Sequence, residues 1–187
     1  MATCAALGWR SRGLPALERA AASAAEAAEP RPAAATLVLW LALATMGSVV
    51  LLAVSNHLTQ NVSSIPLLWV VPLAIYLLTF ILCFEGTRWY RRDAYLGFLV
   101  WILCVMAWFL ADKRLQFELG WQVAVFAAGL FIVCMFCHGE LARLRPGPRH
   151  LTLFYLVVSL GGVAGGVLVG IVAPLALPGY LELEIAL

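Results

Sequence analysis

The chain has 187 residues, 64% of them apolar and only 12% charged, with a mean hydropathy of +0.95. A water-soluble domain is about 45–50% apolar and about 25% charged, so there is too little polar surface here to cover a globule in water. The net charge of +2, without a long basic stripe, argues against a nucleic-acid partner, and a lipid bilayer is the expected surrounding.

Residues 1–35 differ from the rest. They are rich in Ala, carry Arg10, Arg12, Arg19 and Arg31, and are interrupted by Pro15, Pro30 and Pro32. No apolar core of signal-peptide length follows a basic start. The stretch ALERAAASAAEAAE favours helix by composition but offers no apolar face to pack. Its glutamates, Glu18, Glu26 and Glu29, argue against a transit peptide. A disordered tail is predicted here, followed by one membrane domain over 36–187.

A helix needs about 20 apolar residues to cross the hydrocarbon layer. Five runs without Asp, Glu, Lys or Arg answer to that, at 36–55, 66–84, 95–111, 120–138 and 151–174. The prediction is an all-α, polytopic membrane helix bundle with five full spans. Short connections make sequential neighbours antiparallel. After Pro174 and Pro178 the chain reads GYLELEIAL, which looks like the start of a sixth span and so like part of a longer or truncated product. Pro72, six residues after Pro66, falls inside the second run and should kink it.

Basic residues set the expected orientation. One side carries Arg19, Arg31, Arg88, Arg91, Arg92, Arg143, Arg145 and Arg149, against only Lys113 and Arg114 on the other. That places the N-terminus in the cytoplasm of a multi-pass protein, and Trp89, Tyr90, Tyr95 and Trp121 stand at the span edges, where amphipathic rings prefer to sit.

The first connection has no charge. It holds Asn56, His57, Thr59, Gln60 and Asn61, then Ser63 and Ser64 before Pro66. It reads equally as an exposed turn or as the lining of a shallow wet pocket, since irregular backbone is tolerated at membrane depth where it borders water. The connection after the fourth run is the most charged: His138, Glu140, Arg143, Arg145, Arg149 and His150. Glu140 and Arg143 are three apart and can pair on a helical extension, which Pro146 and Pro148 then stop. Interfacial arginines facing anionic headgroups are the default reading. The sharper one is a cluster that docks a soluble domain or gates a path, with His138 and Glu140 as a proton-active pair.

In the fifth run Gly161 and Gly165, Gly162 and Gly166, and Gly166 and Gly170 stand four apart. Spacing of this kind lets another helix backbone approach closely, so helix packing is favoured over a substrate path.

Cys134-Met135-Phe136-Cys137-His138 has the spacing that attaches a c-type haem. The motif falls on an apolar helix at its cytoplasmic end, the wrong side for that attachment, and no evident second axial ligand exists. Packed small residues are the better reading, and no metal, cofactor or catalytic residue is assigned. Cys83 and Cys104 likewise read as small hydrophobes within apolar runs.

The stretch CHGELARLRPGPRHLTLFYLVVSLGGVAGGVLVGIVAPL, at 137–175, resembles the membrane region of the fused spermidine-synthase-like proteins of bacteria. NHLTQNVSSIPLLWVVPLAIYLLTF, at 56–80, resembles a second signature of the same region. The resemblance implies a bacterial inner-membrane domain, transporter-like in fold, that precedes a soluble aminopropyltransferase-like domain. That catalytic half has no counterpart here. GGVAGG, at 161–166, lacks the preceding strand and following acid of a nucleotide-binding turn. The chain alone is therefore expected to be non-enzymatic and to anchor or regulate a cytoplasmic partner, an aminopropyltransferase-like domain or subunit, with a second copy of the chain as a further partner. The alternatives are half of a polyamine-like carrier and, more remotely, a haem-binding electron-transfer subunit. A polycation carrier should show an intramembrane carboxylate, and none of the five runs has one.

Overall fold

The computed structural model describes residues 31–59, 68–86, 90–111 and 119–176. Most of the predicted tail, the connection holding Gln60 and Asn61, Arg88 and Trp89, Lys113 and Arg114, and the predicted sixth span lie outside the described residues.

The described chain is all-helical. Helix α1 runs Ala34–His57, α2 Val70–Glu85, α3 Arg92–Ala111, α4 Leu119–Arg143 and α5 Leu151–Val167. Four helical segments are long and apolar enough to cross a membrane: Ala34–His57, Arg92–Leu110, Gly120–Arg143 and Pro148–Leu175. The second predicted span is shorter than expected, because α2 begins at Val70 and has 16 residues. Pro72 consequently lies in the first turn of α2 and not mid-helix, so the expected kink does not arise. A proline there lacks only a backbone donor that would have had no partner in the helix.

The other helices outrun their apolar stretches. α1 continues through Asn56 and His57, and α4 runs five residues past His138 to Arg143. Hydropathy reports the surrounding solvent, whereas a helix stops where its backbone is interrupted. After Arg143 the interruption is Pro146-Gly147-Pro148, as predicted. Pro148 then opens a single 3-10 turn, Pro148–His150, that leads into α5.

Pro174 has a second effect at the far end of α5. It cannot donate to the carbonyl of Gly170, and its ring crowds that carbonyl. The helix widens into a π turn over Leu168–Val172 before a last turn, Ala173–Ala176. An inserted π turn is a common response to such a lost bond.

α4 packs against α1, α2 and α3, and α1 also carries α5 on its other side. α1 and α4 run antiparallel: Gly47 faces Cys137 and His138, and the His57 ring lies 4.4 Å from that of Phe126. α1 and α5 run parallel, since Ala44 meets Gly161 and Ser48 meets Gly165. The main core lies between α1, α3 and α4, around Val54, Met106, Phe126, Leu130 and Cys134. A smaller one joins Trp40 of α1, Leu141 of α4 and Phe154 of α5, with the Trp40 and Phe154 rings edge to face at 5.0 Å.

The outer faces are apolar. Phe98, Trp101 and Trp108 on α3 are 58%, 63% and 55% exposed. Leu156 and Val163 of α5 and Ile171 of the π turn stand out in the same way. Contiguous apolar surface on this scale is unsuited to water, and the helices suit a lipid bilayer.

Candidate functional site

Two polar clusters arise where these helices meet. The first is enclosed. Thr79 of α2 is fully buried and His138 of α4 is 1% exposed. Thr79 Oγ1 lies 2.8 Å from the carbonyl of Tyr76 and 3.1 Å from His138 Nδ1. A threonine hydroxyl has one proton, and the Tyr76 carbonyl can only accept it. The Thr79 oxygen therefore accepts from His138, which fixes the proton on Nδ1. The edges of Tyr76 and Phe80 meet the imidazole at 4.8 and 5.2 Å between ring centroids. Thr79 and His138 thus tie α2 to α4 through a buried hydrogen bond, and the Tyr76 ring beside them reaches Gly47 of α1.

Cys83 Sγ extends this contact between α2 and α4, lying 3.7 Å from the Met135 carbonyl and 3.7 Å from its thioether sulfur. Cys134 and Cys137 are buried on the same uninterrupted helix as His138. The haem-like spacing is therefore built into a packed interior in which Nδ1 is engaged by Thr79. Among the described residues no three of His, Cys, Asp and Glu converge in a metal-binding group.

The second cluster sits at one end of the bundle, where α2 and α4 finish and α3 begins. Glu140 Oε1 accepts the Tyr90 hydroxyl at 2.7 Å and lies 3.2 Å from Arg143 Nη1 and 3.5 Å from Arg92 Nε. The predicted Glu140–Arg143 pair is present, and Arg92 and Tyr90 join it. Gly139 makes this possible, because a Cβ there would fall into the Tyr90 ring. Tyr90 lies outside the spans. Its phenol is pushed well above the ordinary tyrosine range, first by burial and then by the Glu140 hydrogen bond and charge.

The structure separates His138 from Glu140. His138 is hydrogen-bonded to Thr79 of α2 inside the bundle, while Glu140 is held by Tyr90 and Arg92 at the start of α3 and by Arg143 of its own helix. Arg145 and Arg149 are exposed on the connection to α5. His150 closes the 3-10 turn, with its N–H on the Gly147 carbonyl at 3.2 Å and its Nε2 buried.

Of the uncharged first connection, Asn56 and His57 belong to α1 and Thr59 follows it, with its hydroxyl on the Ser55 carbonyl at 2.8 Å. The described part of that segment is a helix end and not an open loop.

The glycines divide by face. A Cβ at Gly161 would lie 2.6 Å from Ala44 Cβ and 2.9 Å from the Leu41 carbonyl oxygen. One at Gly165 would lie 2.7 Å from Ser48 Cβ and 2.9 Å from the Thr45 oxygen. These two let α1 and α5 meet backbone to backbone. Gly162 only grazes Ser48, and Gly166 and Gly170 face open space. Sequence reading singled out the glycines and Glu140 but missed Tyr76, Thr79, Tyr90 and Arg92 as parts of these clusters. Lone polar residues inside otherwise apolar runs were the available signal for the first two.

A comparison with protein-family models, with curated proteins and with solved structures finds no match for the chain.

Proposed function

We propose that this chain is the integral membrane domain of a spermidine-synthase-like protein of the bacterial inner membrane, and that it is a non-catalytic anchor for a soluble aminopropyltransferase-like partner. In this reading α2 is a fifth span, and the end of the bundle bearing Arg91, Arg92, Arg143, Arg145 and Arg149 faces the cytoplasm.

One observation carries the proposal. Thr79 and His138, buried inside the bundle, spend their side-chain polar groups on each other and on the Tyr76 carbonyl, and so hold α2 against α4. A carrier would instead turn such groups toward a central water-filled path. Among the described residues the charge, by contrast, is gathered at one end, where a carboxylate fixes two arginines and a tyrosine across the start of α3 and the end of α4. That is the form expected of a rigid platform.

The test uses the full chain co-expressed with an aminopropyltransferase-like protein, followed by flotation of the membranes. The partner should float with the wild-type chain and stay soluble with R145E/R149E, and a partner that remains soluble with both overturns the reading. Proteoliposomes containing the chain should show no saturable spermidine uptake. Uptake that disappears in H138L would establish the carrier alternative in its place.

A further inference from the structure

The corner formed by Tyr90, Arg92, Glu140 and Arg143 holds more than an ion pair. Both guanidiniums are directed to a single carboxylate oxygen, which also receives the Tyr90 hydroxyl. The carboxylate side chain is only 14% exposed, while the arginine side chains are 54% and 51% exposed. Glu140 therefore lies beneath as a fixed counter-charge, and the two cations stand above it with their outer edges toward solvent. Two positive charges on one negative charge leave a net charge of +1 at the corner. Around it stand Arg91 and Asp93 at the start of α3 and Glu85 at the end of α2, and among the described residues the ion pairs of the corner are those of Arg92 and Arg143 with Glu140.

Beside Arg143 is a recess of about 250 Å³ lined by Cys83, Tyr90, Gly139, Ala142 and Arg143. Its floor is made of small side chains and its wall is an aromatic ring. One charged edge above a small apolar hollow suits a ligand with an anionic head and a carbon-bearing stem. The location agrees, because apolar helices end and charged residues begin at headgroup level. Guanidinium forks match phosphate oxygens in pairs, and holding them beforehand lowers the entropy lost on binding.

We propose that this corner binds the phosphate of an anionic membrane phospholipid between Arg92 and Arg143, with the glycerol end of the lipid in the recess beside Tyr90. The site is independent of whether a soluble partner docks on the same end of the bundle. Its chemistry is that of a phosphate monoanion, so a soluble phosphate is the competing source.

The experiment is a thermal-unfolding titration of the full chain in a neutral maltoside detergent, followed by far-ultraviolet circular dichroism. Short-chain phosphatidylglycerol, phosphatidylcholine and inorganic phosphate are added separately. Phosphatidylglycerol should raise the midpoint saturably, and phosphatidylcholine at the same concentration should not. R92Q/R143Q should weaken the response about tenfold in apparent dissociation constant, whereas R145Q should retain it. A142L, which fills the recess and leaves every charge in place, should lose it too and keeps the test open if the double variant does not fold. Equal responses to the two lipids, or a wild-type response in both R92Q/R143Q and A142L, overturn the proposal. A full response to inorganic phosphate alone overturns the lipid assignment and gives the corner to a soluble phosphate.

Discussion

Thr79 and His138 are 59 residues apart in the chain and share a buried hydrogen bond of 3.1 Å between Oγ1 and Nδ1. It is the shortest described polar link between α2 and α4, and it lies where water is scarce. T79S keeps the hydroxyl and should be close to neutral. T79V keeps the shape but leaves the His138 N–H without an acceptor. Interhelical hydrogen bonds in membranes are worth about 0.6 kcal/mol on average and up to about 1.7, and a stranded buried donor costs about 1–3. Reversible unfolding in mixed micelles should place T79V about 1–2 kcal/mol below wild type.

The glycine faces of α5 predict a split result. G161A and G165A each place a methyl group against backbone atoms of α1 at 2.9 Å, and overpacking of this kind costs about 1–3 kcal/mol. G166A meets nothing and should be neutral or slightly stabilising, since alanine is the better helix former. The same unfolding assay distinguishes them. Equal losses at Gly165 and Gly166 would contradict the parallel packing of α1 on α5.

Tyr90 gives a pH signature. Its phenol is raised in the folded protein by burial and then by Glu140, while the unfolded phenol ionises near pH 10, at about its model-peptide value. The folded state thus holds the proton more tightly. The stabilisation is complete below that pH and declines as pH rises above it. Wild type should lose stability above about pH 10 more steeply than Y90F. E140Q removes the neighbouring negative charge and should lower the phenol's titration midpoint, which the difference absorbance of phenolate between E140Q and E140Q/Y90F would report.

Cysteine chemistry checks the burial of the haem-like motif. Cys134 and Cys137 are buried, whereas Cys104 is exposed on the outer face of α3. A small lipid-soluble maleimide should label Cys104 in intact membranes and reach Cys134 and Cys137 only after unfolding in sodium dodecyl sulfate. Mass spectrometry of tryptic or chymotryptic peptides would read the difference.

How much of this was legible beforehand follows from what each signal reports. Apolar runs gave the order of the five described helices and the membrane-crossing length of four of them, because hydropathy measures what the side chains must avoid. They misplaced helix ends, since the backbone of α4 continues through Gly139 to Arg143 without regard to polarity. They also put Pro72 mid-helix, because periodicity could not show that α2 starts only two residues earlier. The i, i+4 glycines and the i, i+3 Glu140–Arg143 pair were readable because both partners lie on one helix. The Thr79–His138 and Tyr90–Glu140 links were not, because each joins residues about 50 or more positions apart, and a single sequence does not reveal which helix faces meet.

The parallel seating of α1 against α5 has a consequence for biogenesis. Among the described helices, α1 finds its most extensive neighbour, α5, only after more than a hundred further residues have been made. Until then its Ala44 and Ser48 face must be shielded by lipid or by the insertion machinery. Contacts separated this widely along the chain form late and slow the search. The flank of α1 that takes Gly161 and Gly165 is thus covered only when the glycine-lined helix arrives, and a delay there would leave that flank unclaimed in the membrane.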